Sequence, residues 1–507
     1  MKEISRRDFI QTAGAGLLTM MPSLYSDQAR VEEPANQGED LCFMPATMLA
    51  AAIREKRVSP VEVINAVYAR LHKINPKINA FCTLTEEQAR LGAKEAEAAV
   101  MRGNRIGPLH GVPVSIKDLF LTRGVRTMFG SHIRDTYIPD ENAPVVDKLL
   151  AAGAISLGKT ATPEFGFKGV TDSPATGITR NPWDLSKTPG GSSGGAGAAV
   201  ATGLGQLAVG SDGAGSIRIP SSFCGIFGLK PSSGRVAVYP PAPVAVLAHA
   251  GPMTRTVRDA ALMLNAISGP DERDLLSLPS DPTNFLRACE GGIRGLRVAW
   301  SPTLGYARLD PEVARVTEAA VKVVESSLGC TLEAADPGFE RPWKSLSILW
   351  VMSYALRLRA SLQKWENHMD PDLVTLIKRV ERLNATDYGE AVANRATLWD
   401  TTRKFFNRFD LLLTPTLPVT AFAVSRIGPE EIPTSGDDLL PFSDWVPFTY
   451  PWNMTGQPAA TVPCGFTRAG LPVGLQIIGR RFADATVLRA AAAFEEVRPW
   501  NDKRPLM

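Results

Sequence analysis

The segment at residues 188–228 most restricts how this chain can fold, and it reads TPGGSSGGAGAAVATGLGQLAVGSDGAGSIRIPSSFCGIFG. Glycine lets the backbone adopt positive φ and lets other groups approach it closely. Apolar runs at 198–201, 204–209 and 217–220 interrupt the glycines, which is not typical of a flexible linker. The polar residues are mostly small hydroxyls: Ser192, Ser193, Ser211, Ser216, Ser221 and Ser222. The segment therefore predicts folded turns that present hydroxyl and backbone N–H groups at a site.

The composition is that of a globular protein and argues against some classes of function. The chain has 507 residues, of which 44% are hydrophobic and 21% charged. Its 55 basic and 52 acidic residues give a net charge of +3, too small to indicate binding to nucleic acid or to an anionic membrane. The six cysteines form no CxxC pair and the five histidines are isolated, so we expect no metal site and no redox motif.

Residues 1–28 carry the pattern of an export signal. Two arginines in the run SRRDFI precede a weakly apolar stretch at 12–24. That stretch has about thirteen residues, fewer than the ~20 needed to span a bilayer. SRRDFI resembles a twin-arginine signal, the address of proteins that are exported already folded. We therefore expect a periplasmic or otherwise exported protein without stable membrane insertion, and a mature single domain at 41–507.

Hydrophobic periodicity divides the rest of the chain into helices and strands of one large α/β domain. Residues 45–103 are expected to be helical, with one helix capped at Ser59 and a second at Thr85. A strand–helix–strand unit is expected at 296–333, and a last strand and helix at 473–497. No repeat and no low-complexity linker separates independent halves.

One lysine lies on a predicted strand, where lysine is normally excluded, and a second directly follows another strand-like run. In HGVPVSIKDLF, the residues Val112, Val114 and Ile116 alternate, which places Lys117 on the opposite face of the strand. Lys159 follows the strand-like run AISLG. Either lysine could be a buried base, and either could be a surface residue of an edge strand. The residues alone do not rank the two.

A buried lysine and serines in glycine-rich turns would form a nucleophilic site without histidine. A serine hydroxyl is inert until a base removes its proton. Only about one lysine in 2,500 is neutral at pH 7 when its pKa is the ordinary one, and burial lowers that pKa. Backbone N–H groups would stabilise an oxyanion that develops on a substrate carbonyl. The expected donors are Gly213, Ala214, Gly215 and Ser216.

Six motifs together resemble the amidase signature family. They are VPVSIKD, GKTATPEFG, TPGGSSGG, GSDGAGSIRIPSSFCGIFGLKP, NMTGQPAATVPCGF and GLPVGLQIIG, and they extend the resemblance over about residues 45–497. The resemblance implies an α/β fold in which a large mixed, twisted β-sheet is covered by helices on both faces. It places a core signature region at 110–235 and a helical, substrate-side insertion at about 340–410. It implies hydrolysis of a carboxamide C–N bond to a carboxylate and an amine or ammonia, with no cofactor.

The resemblance also implies three catalytic residues. The lysine of VPVSIKD is Lys117, which ranks it above Lys159, the first serine of GGSSGG is Ser192, and the serine of AGSIR is Ser216. In the family, the peptide bond before the first serine is cis. Neutral Lys117 would accept a proton from Ser192, and Ser192 would accept one from Ser216 as Ser216 attacks the substrate carbonyl. Water would then hydrolyse the acyl-Ser216 ester.

Three neighbouring residues are expected to support this triad, and two positions depart from the family. Ser193, Asp212 and Arg218 are the supporting residues, with the two charged ones pairing beneath the turn; a plain structural role is equally open for each. Ala214 stands where the family commonly has glycine, so its methyl group is expected either to narrow the pocket or to require negative φ. Ala161 stands where the family has asparagine.

Two other functions stay open at the level of sequence. A glutaminase-type subunit of a tRNA-dependent amidotransferase is a relative within the same family, although the export signal argues against it. A non-catalytic anion-binding protein would use the glycine loops, but the chain lacks a GxxxxGK[ST] motif there. Aromatic residues at 343–358 and 445–452 favour a bulky, aryl or oligomeric amide as the small-molecule substrate, unless they are simply core. A homodimer is compatible with this interpretation.

Overall fold

The computed structural model describes residues 37–240, 245–424, 426–430, 439–440 and 445–507. The expected signal at residues 1–28 lies outside these ranges. Within them, none of the helices combines the length and the apolar character that crossing a lipid bilayer requires.

Most strands of the described residues belong to one sheet of eleven strands, which has the order β1-β3-β2-β6-β8-β7-β12-β13-β11-β9-β10. A two-stranded ribbon, β4 and β5, lies apart from it. The strands are β1 (Phe81–Leu84), β2 (Pro113–Lys117), β3 (Ile155–Thr160), β4 (Asp172–Ser173), β5 (Gly177–Ile178), β6 (Leu207–Asp212), β7 (Phe227–Lys230), β8 (His249–Thr254), β9 (Arg297–Trp300), β10 (Thr331–Ala334), β11 (Leu411–Pro415), β12 (Ala459–Phe466) and β13 (Pro472–Gly479).

The helices alternate with the strands along the chain. They are α1 (Gln37–Phe43), α2 (Ala46–Arg54), α3 (Pro60–Ile78), α4 (Glu86–Met101), α5 (Pro144–Ala151), α6 (Gly194–Ala201), α7 (Arg218–Cys224), α8 (Val257–Ile267), α9 (Phe285–Ala288), α10 (Pro311–Leu328), α11 (Trp343–Trp365), α12 (Pro371–Lys378), α13 (Ala385–Arg408), α14 (Pro451–Thr455) and α15 (Asp484–Val497).

The sheet is mixed: β1 pairs antiparallel with β3 at one edge, and in the rest of the sheet parallel pairs lie on both sides of a middle region of antiparallel pairs. Strand β2 pairs in parallel with β3 and β6, and β9 pairs in parallel with β10 and β11. The strands between β6 and β11 pair antiparallel. The predicted fold class, a mixed β-sheet with flanking helices, is confirmed.

Both faces of the sheet are covered, as the alternation of side chains along β6 demonstrates. Leu207 and Val209 belong to the largest apolar cluster, which also contains residues of α5, α8, α10 and α15. Ala208 belongs to another cluster, formed with residues of α6 and α7. Because successive side chains of a strand point to opposite faces, the two clusters lie on opposite sides of the sheet. Helices α6 and α7 therefore pack on a single face, and the serine-rich turns lie at their starts.

The expected helix starts were partly right. At Ser59 the side chain and the backbone N–H form the predicted capping box with Glu62, and α3 begins at the next residue. The predicted cap at Thr85 was wrong: its hydroxyl donates to the carbonyl of Ser156 at 3.1 Å, and α4 begins without a side-chain cap. Thr85 lies beside β3 because it directly follows β1, and β1 pairs with β3. The hydrophobic periodicity did not predict β1.

Helices α11, α12 and α13 occupy residues 343–408, within the segment predicted to be a substrate-side insertion. They share an apolar cluster with α7, α14 and the Phe167–Val170 region. Two polar contacts fasten α11 to the core: the Trp350 indole N–H donates to the Phe167 carbonyl at 3.2 Å, and the Tyr354 hydroxyl donates to the Phe165 carbonyl at 3.0 Å. This packing brings one side of α11 to the serine-rich turns. The domain boundaries themselves stay a prediction.

Candidate active site

The end of strand β2 places Lys117 under the serine-rich turns. Val114 and Ile116 point into the large apolar cluster, so Lys117 points to the other face, as the alternation predicted. The lysine is fully buried, and its amine donates to the hydroxyl of Ser192 at 2.7 Å and to that of Ser193 at 2.8 Å. The strand therefore carries the amine to two serines that lie some 75 residues further along the chain.

The environment of Lys117 favours the neutral amine. Burial lowers the pKa of Lys117 well below its ordinary value, and the negative charge of Asp212 opposes this shift only in part. The amine also donates to the hydroxyl of Ser211 at 2.9 Å, so these three hydrogen-bond partners are all uncharged hydroxyls. An amine in this environment is neutral at a lower pH than an ordinary lysine, and when it is neutral it can accept a proton.

Lys159 lies in a different environment, although it is also fully buried. Its amine donates to the carbonyl of Phe120 at 2.6 Å and to the hydroxyl of Thr127 at 2.8 Å, and it lies 3.7 Å from a carboxylate oxygen of Asp118. These contacts attach β3 to the loop after β2, and they include none of the serines in the 188–228 segment. The structure thus brings Lys117, and not Lys159, to the serines.

Ser192 lies in a tight loop that leads into α6. The Gly191–Ser192 peptide bond is cis. A Cβ atom on Gly191 would lie 2.5 Å from the carbonyl oxygen of Val170, so only glycine fits at that position. The N–H of Ser193 donates to the carbonyl of Ser216 at 3.2 Å. This backbone hydrogen bond joins the loop of Ser192 directly to the turn that holds Ser216.

The turn between β6 and α7 presents backbone N–H groups beside Ser216. The amides of Gly213, Ala214 and Ser216 make no hydrogen bond to any residue that the structure describes. The amide of Gly215, in contrast, donates to a carboxylate oxygen of Asp212 at 2.7 Å. Gly215 was an expected oxyanion donor, and its N–H is already used within the turn. Three of the four expected donors are therefore free to bind an oxyanion.

A buried ion pair supports this turn. Two guanidinium nitrogens of Arg218 donate to the two carboxylate oxygens of Asp212 at 2.9 Å each, and both side chains are fully buried. Burial by itself would raise the pKa of Asp212, but the charge and hydrogen bonds of Arg218 hold it well below the ordinary value. Asp212 is therefore ionised at neutral pH, and its negative charge is matched by Arg218. The pairing expected from the sequence is present.

Residues from the C-terminal part of the chain complete the support, and sequence reasoning missed them. The side-chain amide of Asn453 donates to the carboxylate of Asp212 at 2.9 Å, and its oxygen accepts from Arg218 at 2.6 Å. Arg218 also donates to Gln476 at 2.8 Å, and the hydroxyl of Thr449 donates to the Ala214 carbonyl at 2.7 Å. Asn453 lies in the NMTGQP motif, which was the single available signal for its importance.

Ser192 and Ser216 both line one cavity, of about 130 Å³. The cavity is also bounded by Ser211, Asp212 and Gly213, and by α11 on the opposite side. Much of its wall is aromatic, with Phe120, Phe129, Phe165, Tyr239, Trp350 and Tyr354 as lining residues. The expected aromatic wall is thus partly formed by 343–358, whereas no residue of 445–452 lines this cavity among those described.

The two departures from the family pattern lie outside the cavity. Ala214 does not have a left-handed φ, and its methyl group packs against the cluster of α11 and α14 rather than lining the described cavity. Of the two expected consequences, a negative φ is therefore the one observed. Ala161 is fully buried, and its N–H donates to the Ala80 carbonyl at 2.8 Å, while its carbonyl accepts from Gly195 at 3.3 Å. It thus contacts the first turn of α6 through its backbone.

Comparison with known proteins identifies the class to which this fold and site belong. The Amidase family model matches residues 62–488, so the chain belongs to the amidase signature family. An acylamidase of Rhodococcus erythropolis is 44% identical over 480 residues, which cover 92% of this chain and 98% of that protein. The crystal structure of a bacterial aryl acylamidase of the amidase signature family superposes with a TM-score of 0.84 at 32% identity, covering 92% of this chain and 99% of that one.

A third relative has a different activity. It is a glutamyl-tRNA(Gln) amidotransferase subunit of Moorella thermoacetica, which is 37% identical over 491 residues, covering 92% of this chain and 99% of that protein. Taken together, the comparisons confirm the prediction of an amide-hydrolysing enzyme. They leave the alternative of a non-catalytic anion-binding protein without support.

Proposed function

We propose that this enzyme hydrolyses a carboxamide through an acyl-Ser216 intermediate, with Ser192 and Lys117 as the groups that move the proton. The observation that carries the proposal is the 2.7 Å hydrogen bond between the Lys117 amine and the Ser192 hydroxyl, at a cavity that Ser216 also lines. A fully buried amine with a lowered pKa meets the main requirement of a lysine base, which is to be neutral.

The hydrogen bond between Lys117 and Ser192, and the position of Ser192 and Ser216 on one cavity, support a sequence of proton transfers. Neutral Lys117 accepts the proton of Ser192, Ser192 accepts the proton of Ser216, and the Ser216 oxygen forms a bond to the substrate carbonyl carbon. The negative charge then moves to the carbonyl oxygen. We expect the free N–H groups of Gly213 and Ser216, which line the cavity, to bind it together with the free N–H of Ala214 in the same turn. When the C–N bond breaks, Ser192 gives its proton to the leaving amine and takes back the proton held by Lys117, so that the lysine is neutral again. Water then attacks the acyl-Ser216 ester by the same relay and releases the carboxylate.

The cavity wall supports a bulky, aryl or oligomeric amide as the substrate. Aromatic side chains from both the core and α11 line it, and an aromatic group can stack on such rings. One relative is an acylamidase, and a structural neighbour is an aryl acylamidase. We expect the enzyme to hydrolyse an acyl anilide faster than acetamide. Faster turnover of acetamide would contradict this substrate class.

Labelling with a fluorophosphonate tests the nucleophile. The wild-type enzyme is expected to label at Ser216, and Ser216→Ala is expected to abolish both labelling and anilide hydrolysis. Ser221→Ala is the matched control, because Ser221 lies in α7 and its hydroxyl donates to the Ile217 carbonyl at 2.8 Å. Equal labelling of the wild type and Ser216→Ala would overturn the assignment of Ser216.

The amidotransferase relative supports a second candidate function, a glutaminase subunit of a larger assembly. That function requires partner subunits and glutamine, so it predicts co-purification with a second chain and release of ammonia from glutamine. The amidase proposal predicts neither, and it is compatible with a homodimer. The molar mass of the native protein, measured by light scattering, distinguishes the assemblies.

Export is a further part of the proposal, and it rests on the SRRDFI run and the short apolar stretch at residues 12–24. The twin-arginine pattern predicts that the enzyme is folded before it crosses the membrane. Cell fractionation of the wild type and of the double variant Arg6→Lys, Arg7→Lys tests this. Equal periplasmic amounts of the two proteins would contradict a twin-arginine signal.

A further inference from the structure

Arg357 is an uncompensated charge at the wall of the cavity. Of the residues described as lining this cavity, the charged ones are Asp212 and Arg357. The charge of Asp212 is matched by Arg218, with which it forms a bidentate ion pair. Arg357 is exposed, and it makes no ion pair and no hydrogen bond to a described residue. The cavity therefore offers one positive charge that no described protein carboxylate neutralises.

Helix α11 sets how far the backbone of Arg357 lies from the turn that holds Ser216. Trp350, Ser353, Tyr354 and Arg357 all line the cavity, and their spacing of i, i+3, i+4 and i+7 puts them along one side of the helix. Trp350 is next to the turn, because a Cβ atom on Gly213 would lie 3.0 Å from its ring. Seven residues later, Arg357 lies about 10 Å further along the helix axis. The side of α11 that lines the cavity is therefore aromatic near the turn, at Trp350, and basic farther from it, at Arg357.

We infer that Arg357 selects amide substrates that carry an anionic group, a carboxylate in the simplest case, at the end remote from the scissile bond. This inference rests on the proposed function and adds the chemistry of the substrate. A guanidinium presents paired N–H donors that match the two oxygens of a carboxylate. Lys117 does not compete for that carboxylate, because it is buried beneath the serines and does not line the cavity among the described residues.

The preference is expected to be moderate and sensitive to salt. An exposed ion pair contributes little in water, so a carboxylate should improve binding by about threefold to tenfold over a neutral group of the same shape. Raising the ionic strength should weaken that preference, because salt screens exposed charges. A substrate whose anionic group is close to the scissile bond should gain nothing.

Equilibrium binding to the Ser216→Ala enzyme tests the inference without hydrolysis. Two pairs of probes are titrated by calorimetry, one with the charge on the acyl side and one with it on the aniline ring. The first pair is adipic acid monoanilide and its terminal carboxamide; the second is hexananilide bearing a 4-carboxylate or a 4-carboxamide on the ring. Preference for the carboxylate in at least one pair is expected. It should disappear in Arg357→Gln, persist in part in Arg357→Lys, and reverse in Arg357→Glu.

Arg359→Gln is the matched control, because Arg359 is an exposed arginine of the same helix, lies 3.7 Å from Glu381, and is not a described lining residue. This variant should keep the full preference. The inference is overturned if the Ser216→Ala enzyme shows no preference in either pair, or if Arg357→Gln keeps as much of it as Arg359→Gln. Failure of the proposed function has a different signature, since it would abolish Ser216-dependent hydrolysis while leaving the binding preference intact.

Discussion

The amine of Lys117 lies 2.7 Å from the hydroxyl of Ser192, on a side of the sheet where the lysine has no exposed surface. The sheet supplies the lysine, and the glycine-rich segment supplies the serines. β2 and β6 are parallel neighbours, so Lys117 at the end of β2 lies at the same edge of the sheet as the turn after β6. The loop of Ser192 is joined to that turn by the hydrogen bond from the Ser193 N–H to the Ser216 carbonyl. Activity and stability should therefore both depend on the protonation of one buried amine.

Hydrolysis should fall in acid because Lys117 must be neutral to accept a proton. Burial lowers its pKa, so the amine is neutral above the shifted pKa and protonated below it. We therefore expect kcat/KM for an anilide to rise with pH through the shifted pKa and then level off. A pH–rate profile from 5 to 10 measures this. A rate that increases toward low pH would contradict a lysine base.

The same lysine should make stability depend on pH. Where the folded lysine is neutral and the unfolded one is protonated, the unfolded state binds one more proton, so the free energy of unfolding rises with pH. Relative to Lys117→Met, the wild type should gain at most about 1.4 kcal/mol per pH unit between the shifted pKa and the ordinary value near 10. Urea unfolding at a series of pH values measures the difference. Lys73→Met, which replaces an exposed lysine, is the control. The difference in the free energy of unfolding between this variant and the wild type should not change with pH.

Removal of Arg218 should be severely destabilising. Arg218→Met leaves the carboxylate of Asp212 buried without its counter-charge, and breaking a buried ion pair in this way typically costs about 3–5 kcal/mol. Both the unfolding midpoint in urea and anilide hydrolysis should fall, because Asp212 also accepts the N–H of Gly215. Arg359→Met, at an exposed arginine, should change the free energy of unfolding by less than about 0.5 kcal/mol. A similar small loss in Arg218→Met would contradict the structural role of the pair.

Alanine at Gly215 should disrupt the turn that holds Ser216. Gly215 has a φ of +133°, and a Cβ atom there would lie 2.5 Å from the hydroxyl oxygen of Thr449. We expect Gly215→Ala to lower kcat for the anilide by at least about tenfold, because the N–H groups of the turn are displaced. Gly92→Ala is the control, because Gly92 lies inside α4 with open space around it. Alanine at this position should stabilise the protein by about 0.5–1 kcal/mol. Thermal unfolding and kinetics of both variants check the pair.

Ala214→Gly restores the residue common in the family, and it should leave the size preference of the enzyme unchanged. Ala214 packs against an apolar cluster and is not among the described lining residues, so we expect removal of its methyl group to open no space for substrate. The ratio of kcat/KM values for a large and a small acyl anilide should stay within about twofold of the wild-type ratio, while stability falls by about 1 kcal/mol or less. A clear gain for the larger anilide would show that Ala214 does restrict the pocket.

The sequence predicted those site residues whose position follows from strand alternation or from charged residues that flank a glycine-rich turn. Strand alternation placed Lys117 opposite Val114 and Ile116, and this is the face on which the serines lie. The ion pair of Asp212 and Arg218 was also expected, because the two residues flank a glycine-rich turn. The choice between Lys117 and Lys159 came from the motifs alone. Both lysines are buried on neighbouring strands, so no local pattern distinguishes them.

What the sequence did not predict depends on long-range contacts. The strand β1 has four residues, and it forms through pairing with β3 rather than through its own pattern. Asn453 reaches Asp212 from more than 240 residues away, so its role emerges once the sheet order places α14 beside the turn. The N–H of Gly215 was counted among the free donors because sequence does not show where the Asp212 carboxylate points.

The hydrogen bond from the Ser193 N–H to the Ser216 carbonyl joins the loop before α6 to the turn before α7, so the two serine-bearing segments are held together. Part of the cavity wall, formed by Trp350, Tyr354 and Arg357, comes from another part of the chain, α11, which two side-chain hydrogen bonds attach to the loop at 165–167. We therefore expect changes in α11 to alter substrate preference without moving the proposed reacting groups. Exchange of residues 343–408 with those of a relative is therefore expected to change which substrates the enzyme accepts, while Lys117, Ser192 and Ser216 keep their positions.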